Sequence, residues 1–120
     1  MPGIQNAWST CANCEQMITI AHMYTVKRTA EFDDWLISIK DGLTRIRLAK
    51  RLDKVQRGLL GDVEPVGEGV CEMREFLGPG WRMYYIQRDR VIIVMLGGGD
   101  KSTQQADIAT AIALSKSIEE

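Results

Sequence analysis

A chain of 120 residues has the length of one domain built around a single core. Hydrophobic residues at 45% and charged residues at 26% exclude a disordered chain and a membrane span. Lysine plus arginine (15) against aspartate plus glutamate (16) gives a net charge of -1, so bulk charge offers no case for a nucleic-acid partner and any basic site must be local.

The chain opens on a composition boundary. Residues 1 to 22 hold no lysine or arginine and a single acid, Glu15, whereas everything after Met23 is dense in charge. The expectation is an N-terminal extension over 1–22, arising from an upstream start, followed by one folded domain over 23–120. Three cysteines cannot all pair within the chain, and the opening residues lack the basic region and long apolar run of a secretory signal, so a cytoplasmic protein with reduced thiols is expected. Cys11 and Cys14 have the spacing of a metal knuckle. A structural zinc site needs four ligands, however, and His22 and Cys71 could complete one only by coincidence of fold, so no metal is expected.

Met23 to Arg28 alternates as a first strand. Thr29 then precedes a helical stretch in which Phe32, Trp35, Leu36 and Ile39 recur on one face, with Thr29 as its cap and Asp33 and Asp34 favoured by the helix dipole. Asp41-Gly42 breaks the period and opens a second helix, Leu43 to Arg57. At 100° per residue Leu48, Ala49, Leu52, Val55 and the following Leu59 form its core arc, and Arg47, Lys50, Arg51, Lys54 and Arg57 form the opposite one. That cationic stripe is either a solvated face or a phosphate-binding one, and the absence of acids within it favours the second as much as the first.

Gly58 ends the helix, and Gly61 to Gly69 reads as a loop from its glycine, proline and acid content. Val70 to Leu77, Trp81 to Arg88 and Val91 to Leu96 are three strands of an antiparallel meander, turning at Gly78-Pro79-Gly80 and near Asp89. The last is apolar throughout, as befits a central strand covered on both faces. Gly97-Gly98-Gly99-Asp100-Lys101 reads as the closing turn, and Ser102 with Gln105 as a capping box for a final helix reaching about Ser117. The order strand, helix, helix, three-strand antiparallel meander, helix defines an α+β domain.

Period-two alternation places Val70, Glu72, Arg74 and Phe76 on one side of their strand, and Arg82, Tyr84 and Arg88 opposite the core residues Met83 and Tyr85. Arg74, Arg82 and Tyr84 can therefore share a polar sheet surface suited to gripping a single RNA strand. The competing arrangement is cross-strand pairing with Glu72 or Glu75. Lys101 stands beside a helix N-terminus that favours anions, although the glycine run lacks the spacing of a Walker A loop. The sole histidine, His22, precedes the domain, so no histidine-dependent catalytic triad can be assembled inside it.

Four ordered segments carry a family resemblance: Lys27 to Leu36, Gly61 to Val70, Gly78 to Tyr85 and Gly97 to Ser102. Together with the strand-helix-helix-meander order, they resemble the HigB-like addiction-module killer proteins of the RelE/ParE toxin superfamily. The resemblance implies the toxin of a type II toxin-antitoxin system, neutralised by a cognate helix-turn-helix antitoxin and using no cofactor. For RelE- and HigB-type relatives it implies an endoribonuclease, a ribosome-dependent mRNA interferase that inhibits translation. For ParE-type relatives it implies a DNA gyrase poison that performs no chemistry of its own. By carry-over Arg74 and Arg82 would clamp phosphate, Tyr84 would stack on or orient a base, and Lys101 would serve as an acid or a further clamp. Arg47, Lys50, Arg51, Lys54 and Arg57 would dock on ribosomal RNA. The final helix lacks the tyrosine of RelE-type enzymes, and the histidines of HigB enzymes have no counterpart.

Overall fold

The computed structural model describes residues 23–118. The chain runs β1 (Thr25–Arg28), α1 (Ala30–Ser38), α2 (Gly42–Gln56), β2 (Val63–Gly67), β3 (Val70–Glu75), β4 (Trp81–Arg88), β5 (Ile92–Gly99) and α3 (Gln104–Ser117), with a 3-10 turn over Lys101–Thr103. One five-stranded sheet has the order β1-β5-β4-β3-β2. Only β1 lies parallel to its neighbour, β5; the other pairings are antiparallel. The extension over 1–22 lies outside the described residues, as do Cys11, Cys14 and His22, and the described residues contain no cluster of metal-ligating side chains. No described helix is long and apolar enough to cross a membrane.

Alternation along the strands divides the interior between the two faces of the sheet. Met73, Met83, Tyr85, Ile93 and Met95 meet Phe32, Leu36 and Ile39 of the α1 region and Leu48, Leu52 and Val55 of α2. Val70, Tyr84, Ile86, Val94 and Leu96 meet α3 through Ala111, with Ile108, Ile112 and Leu114 packed alongside. β5 is buried on both faces, as its apolar run predicts. The Thr29 hydroxyl caps α1 by accepting from the Phe32 N–H at 3.1 Å, and it also donates to the Met95 carbonyl at 2.9 Å, which ties the helix start to β5.

Four local expectations are corrected. Leu59 is 59% exposed, because helical geometry stops at Gln56 and Gly58 turns the chain at φ 94°, so the helical projection no longer applies there. The segment expected as a loop contains β2, paired antiparallel with β3 through a turn in which Glu68 and Gly69 both take positive φ. Pro65 is tolerated in β2 because it is an edge strand, where a missing N–H breaks no central ladder. The triple glycine is the end of β5 rather than a turn. A side chain on Gly98 would collide with the Trp35 ring, and one on Gly99 with the Asp107 carboxylate, so these glycines give space for neighbours on opposite faces of the sheet. The Ser102–Gln105 box does not form; Asp100 accepts instead from the Ser102 N–H at 2.8 Å and from its hydroxyl at 2.5 Å.

Candidate functional site

β3 and β4 place Arg74 directly opposite Arg82. Like charges in that relation destabilise a sheet unless something compensates them. Both side chains line an open cavity of about 410 Å³ beneath the β3–β4 connection, with Glu75, Phe76, the Gly78-Pro79-Gly80 turn, Trp81 and Lys101. Lys101 reaches it because the 3-10 turn is tied to that connection by a hydrogen bond from its N–H to the Pro79 carbonyl at 3.4 Å. Gly80, at φ 84°, leaves room for the Arg82 guanidinium: a side chain there would press on Arg82 Nη1. The structure thus brings together Arg74, Arg82 and Lys101, three of the residues expected to act on a phosphate.

Each guanidinium is already held. Arg74 pairs with Glu64 at 2.7 Å and Asp62 at 3.3 Å, both on the exposed edge at or beside β2. The hydrogen bond to Asp62 pushes the Arg74 pKa further up, so its charge is permanent. Arg82 Nη1 donates to the Gly80 carbonyl at 2.9 Å, and its Nε stands 3.3 Å from Glu72 Oε2. That approach is charge to charge without the alignment of a hydrogen bond, and the Nε–H groups of both arginines are buried with no acceptor. Lys101 is exposed and makes no ion pair among the described residues. The competing cross-strand arrangement is therefore realised for Arg82 and Glu72, while Glu75 turns to Arg51.

Tyr84 does share the face of Arg74 and Arg82, but it is fully buried beneath α3 and cannot meet a base. Its hydroxyl donates to Glu72 Oε2 at 3.1 Å, and Gln104 Nε2 donates to the same oxygen at 2.9 Å. Burial, reinforced by the Glu72 charge, pushes the Tyr84 phenol well above its ordinary range, so it remains a proton donor to the carboxylate. Its role is to help fix Glu72, 1% exposed, which in turn fixes Arg82. Sequence reasoning missed Glu72 as the hub because nothing local shows that Gln104, 32 positions later, reaches it.

The cationic stripe is also corrected at one position. Arg47, Lys50, Lys54 and Arg57 are exposed, but Arg51 is buried. Its Nη1 donates to Glu75 Oε1 and to the Arg74 carbonyl, both at 2.7 Å, and its Nη2 donates to the Leu60 and Asp62 carbonyls, both at 3.0 Å. Arg51 thus braces the strand that carries Arg74 and is not available to dock on RNA. The signal lay in the spacing: Arg51 stands three residues after Leu48 and four before Val55, at the edge of the cationic arc nearest the core. A second omission is Phe76, whose side chain is 81% exposed on the rim of the cavity.

No family model matches the chain. An uncharacterized protein of Haemophilus influenzae is 36% identical over 93 residues, which span 78% of this chain and 94% of the relative. Among solved structures, a chain of the toxin-antitoxin complex RelBE2 from Mycobacterium tuberculosis superposes with a TM-score of 0.55 at 18% identity, covering 67% of this chain and 93% of that one. A mutant of the E. coli toxin RelE in the free state superposes with a TM-score of 0.60 at 12% identity, covering 78% and 97%. The chain belongs to one family with the Haemophilus influenzae protein, and its fold is that of the RelE-like toxins.

Proposed function

We propose that this chain is the toxin of a toxin-antitoxin pair and acts in the cytoplasm as a ribosome-dependent mRNA endonuclease, held inactive by a cognate helix-turn-helix antitoxin. The observation that carries this reading is the juxtaposition of Arg74 and Arg82 on adjacent strands, with Lys101 on the same open cavity. Two guanidiniums set opposite one another suit a ligand with several anionic oxygens, and the adjacent strands fix the spacing of the backbone positions that carry them. Attack of a ribose 2′-hydroxyl on its own phosphate, with the hydroxyl proton passing to water, forms the 2′-oxygen–phosphorus bond as the bond to the 5′-oxygen breaks, and spreads negative charge over the phosphoryl oxygens, which Arg74 and Arg82 would stabilise. The Lys101 ammonium would protonate the leaving 5′-oxygen. The exposed cations Arg47, Lys50, Lys54 and Arg57 would contact ribosomal RNA, each adding a salt-sensitive phosphate contact. The RelE-like fold, seen in one case in a toxin-antitoxin complex, supports the antitoxin partner.

The test is induction of the chain without antitoxin, followed by mapping of mRNA 5′ ends. Cuts inside translated codons, lost together with growth arrest in an Arg74→Ala/Arg82→Ala double variant that still binds its antitoxin, are the expected result. Intact mRNA with stalled gyrase–DNA complexes would replace this reading with that of a gyrase poison. Undiminished toxicity in the double variant would remove the role given to the two arginines.

A further inference from the structure

We propose that Phe76 is the stacking platform of this cavity, holding one nucleobase of a single-stranded RNA whose phosphates lie on Arg74, Arg82 and Lys101. The inference rests on the RNA reading above and names the part of that ligand which the cations cannot recognise. Among the described residues Phe76 is the one aromatic in the exposed class, and at 81% it is the most exposed of the large hydrophobics described. The other aromatic on the cavity, Trp81, is half-buried and packs edge-on against Trp35 at 6.3 Å between ring centroids, so it is committed to the interior. Tyr84, the expected base contact, is closed off beneath α3.

Position and chemistry agree. Phe76 directly follows the last residue of β3, where the chain turns with the Leu77 N–H donating to the Glu75 carbonyl at 2.9 Å, and it lines the same cavity as Arg74. Phenylalanine has no polar tip that water could solvate, so placing its ring in solvent forgoes burial without a compensating hydrogen bond. A ring presented beside fixed cations is the combination that binds single strands: the cations track the backbone, and the ring receives any base, because every base has a π-face. The neighbouring Gly78-Pro79-Gly80 turn keeps bulky side chains away from that side of the cavity.

The experiment is titration of the full chain with a short single-stranded RNA carrying one 2-aminopurine, at several salt concentrations. Wild type is expected to quench the probe on binding. Phe76→Ala should weaken binding about tenfold and abolish the quench while leaving the salt slope intact, because the phosphate contacts persist. Phe76→Trp should restore both affinity and quench. Arg74→Ala/Arg82→Ala should instead flatten the salt slope. If Phe76→Ala binds and quenches like wild type while the arginine variant weakens, the stacking role is wrong and the RNA reading stands. If wild type does not bind RNA, or the arginine variant binds equally well, the RNA reading fails and the stacking role fails with it. Retained RNA binding with lost affinity for gyrase in Phe76→Ala would make Phe76 a protein contact and overturn the proposal.

Discussion

Replacing Arg51 by alanine separates a structural role for this residue from the RNA-docking role its place in the sequence suggests. The guanidinium side chain is 10% exposed and its partner Glu75 25% exposed. Truncation leaves the Glu75 carboxylate unpaired and removes the donors to the Leu60, Asp62 and Arg74 carbonyls. Breaking a buried pair by removing one partner costs about 3–5 kcal/mol, and water reaching Glu75 puts this case near the lower end, about 3 kcal/mol. For a domain of roughly 100 residues that corresponds to a fall in Tm of roughly 12–24 °C. Thermal unfolding followed by circular dichroism gives the first quantity, and RNA affinity measured well below the lowered Tm gives the second. Lys50→Ala is the control: it is exposed, its effect on stability should stay within about 0.5 kcal/mol, and it should reduce the salt slope of RNA binding. A Tm within about 2 °C of wild type for Arg51→Ala, accompanied by loss of RNA affinity, would refute the structural role.

Three further outcomes follow from other parts of the fold. Gly98→Ala is expected to destabilise by about 1–3 kcal/mol through overlap with the Trp35 ring, whereas Gly97→Ala, with nothing near its added methyl, should be close to neutral; equal Tm values for the two would contradict the packing argument. Burial raises the phenol pKa of all three tyrosines, Tyr24, Tyr84 and Tyr85. The unfolded chain then loses these protons first, so the stability they contribute is complete below about pH 10 and falls as pH rises beyond it; phenolate absorbance appearing at pH 10 in the folded protein would oppose this. The Ser102 hydroxyl and N–H hold the Asp100 carboxyl below the ordinary range, so its cap on the 3-10 turn persists above about pH 4 and is lost as pH falls through the lowered value. An NMR titration placing the Asp100 midpoint at or above about 4 would exclude that cap.

The helices were legible in the sequence because their signals are local: a threonine cap at position 29, an apolar stripe, and glycines at the ends. The meander was legible for the same reason. β2 was not, because its Pro65 and flanking glycines give the same composition whether the chain forms an edge strand or a loop. The function of Gly98 and Gly99 depends on Trp35 and Asp107, which no window around the glycines contains. Charge was the least legible property. A helical projection records the angle of Arg51 but not that Glu75, 24 positions later, draws it inward, and strand alternation assigned Tyr84 to the correct face without showing that α3 covers it.

The acids beside β2 raise the final question about the site: Asp62 and Glu64 already occupy the guanidinium on which a phosphate is proposed to sit. Their side chains are 39% and 54% exposed, and ion pairs in such positions contribute little after solvent screening. A phosphate with two or three anionic oxygens can displace them at small cost, whereas Glu72, buried and held by Tyr84 and Gln104, stays with Arg82. The two acids therefore hold the Arg74 guanidinium at the β2 edge and compete with an anion for it. Asp62→Asn/Glu64→Gln removes that competition and leaves the shapes unchanged. RNA affinity at low salt should rise by up to about tenfold, since 1.4 kcal/mol is a factor of ten, and the gain should shrink as salt screens the pairs. Weaker binding in this variant would mean that the acids orient Arg74 more than they compete with the ligand, and that the phosphate is bound mainly by Arg82 and Lys101.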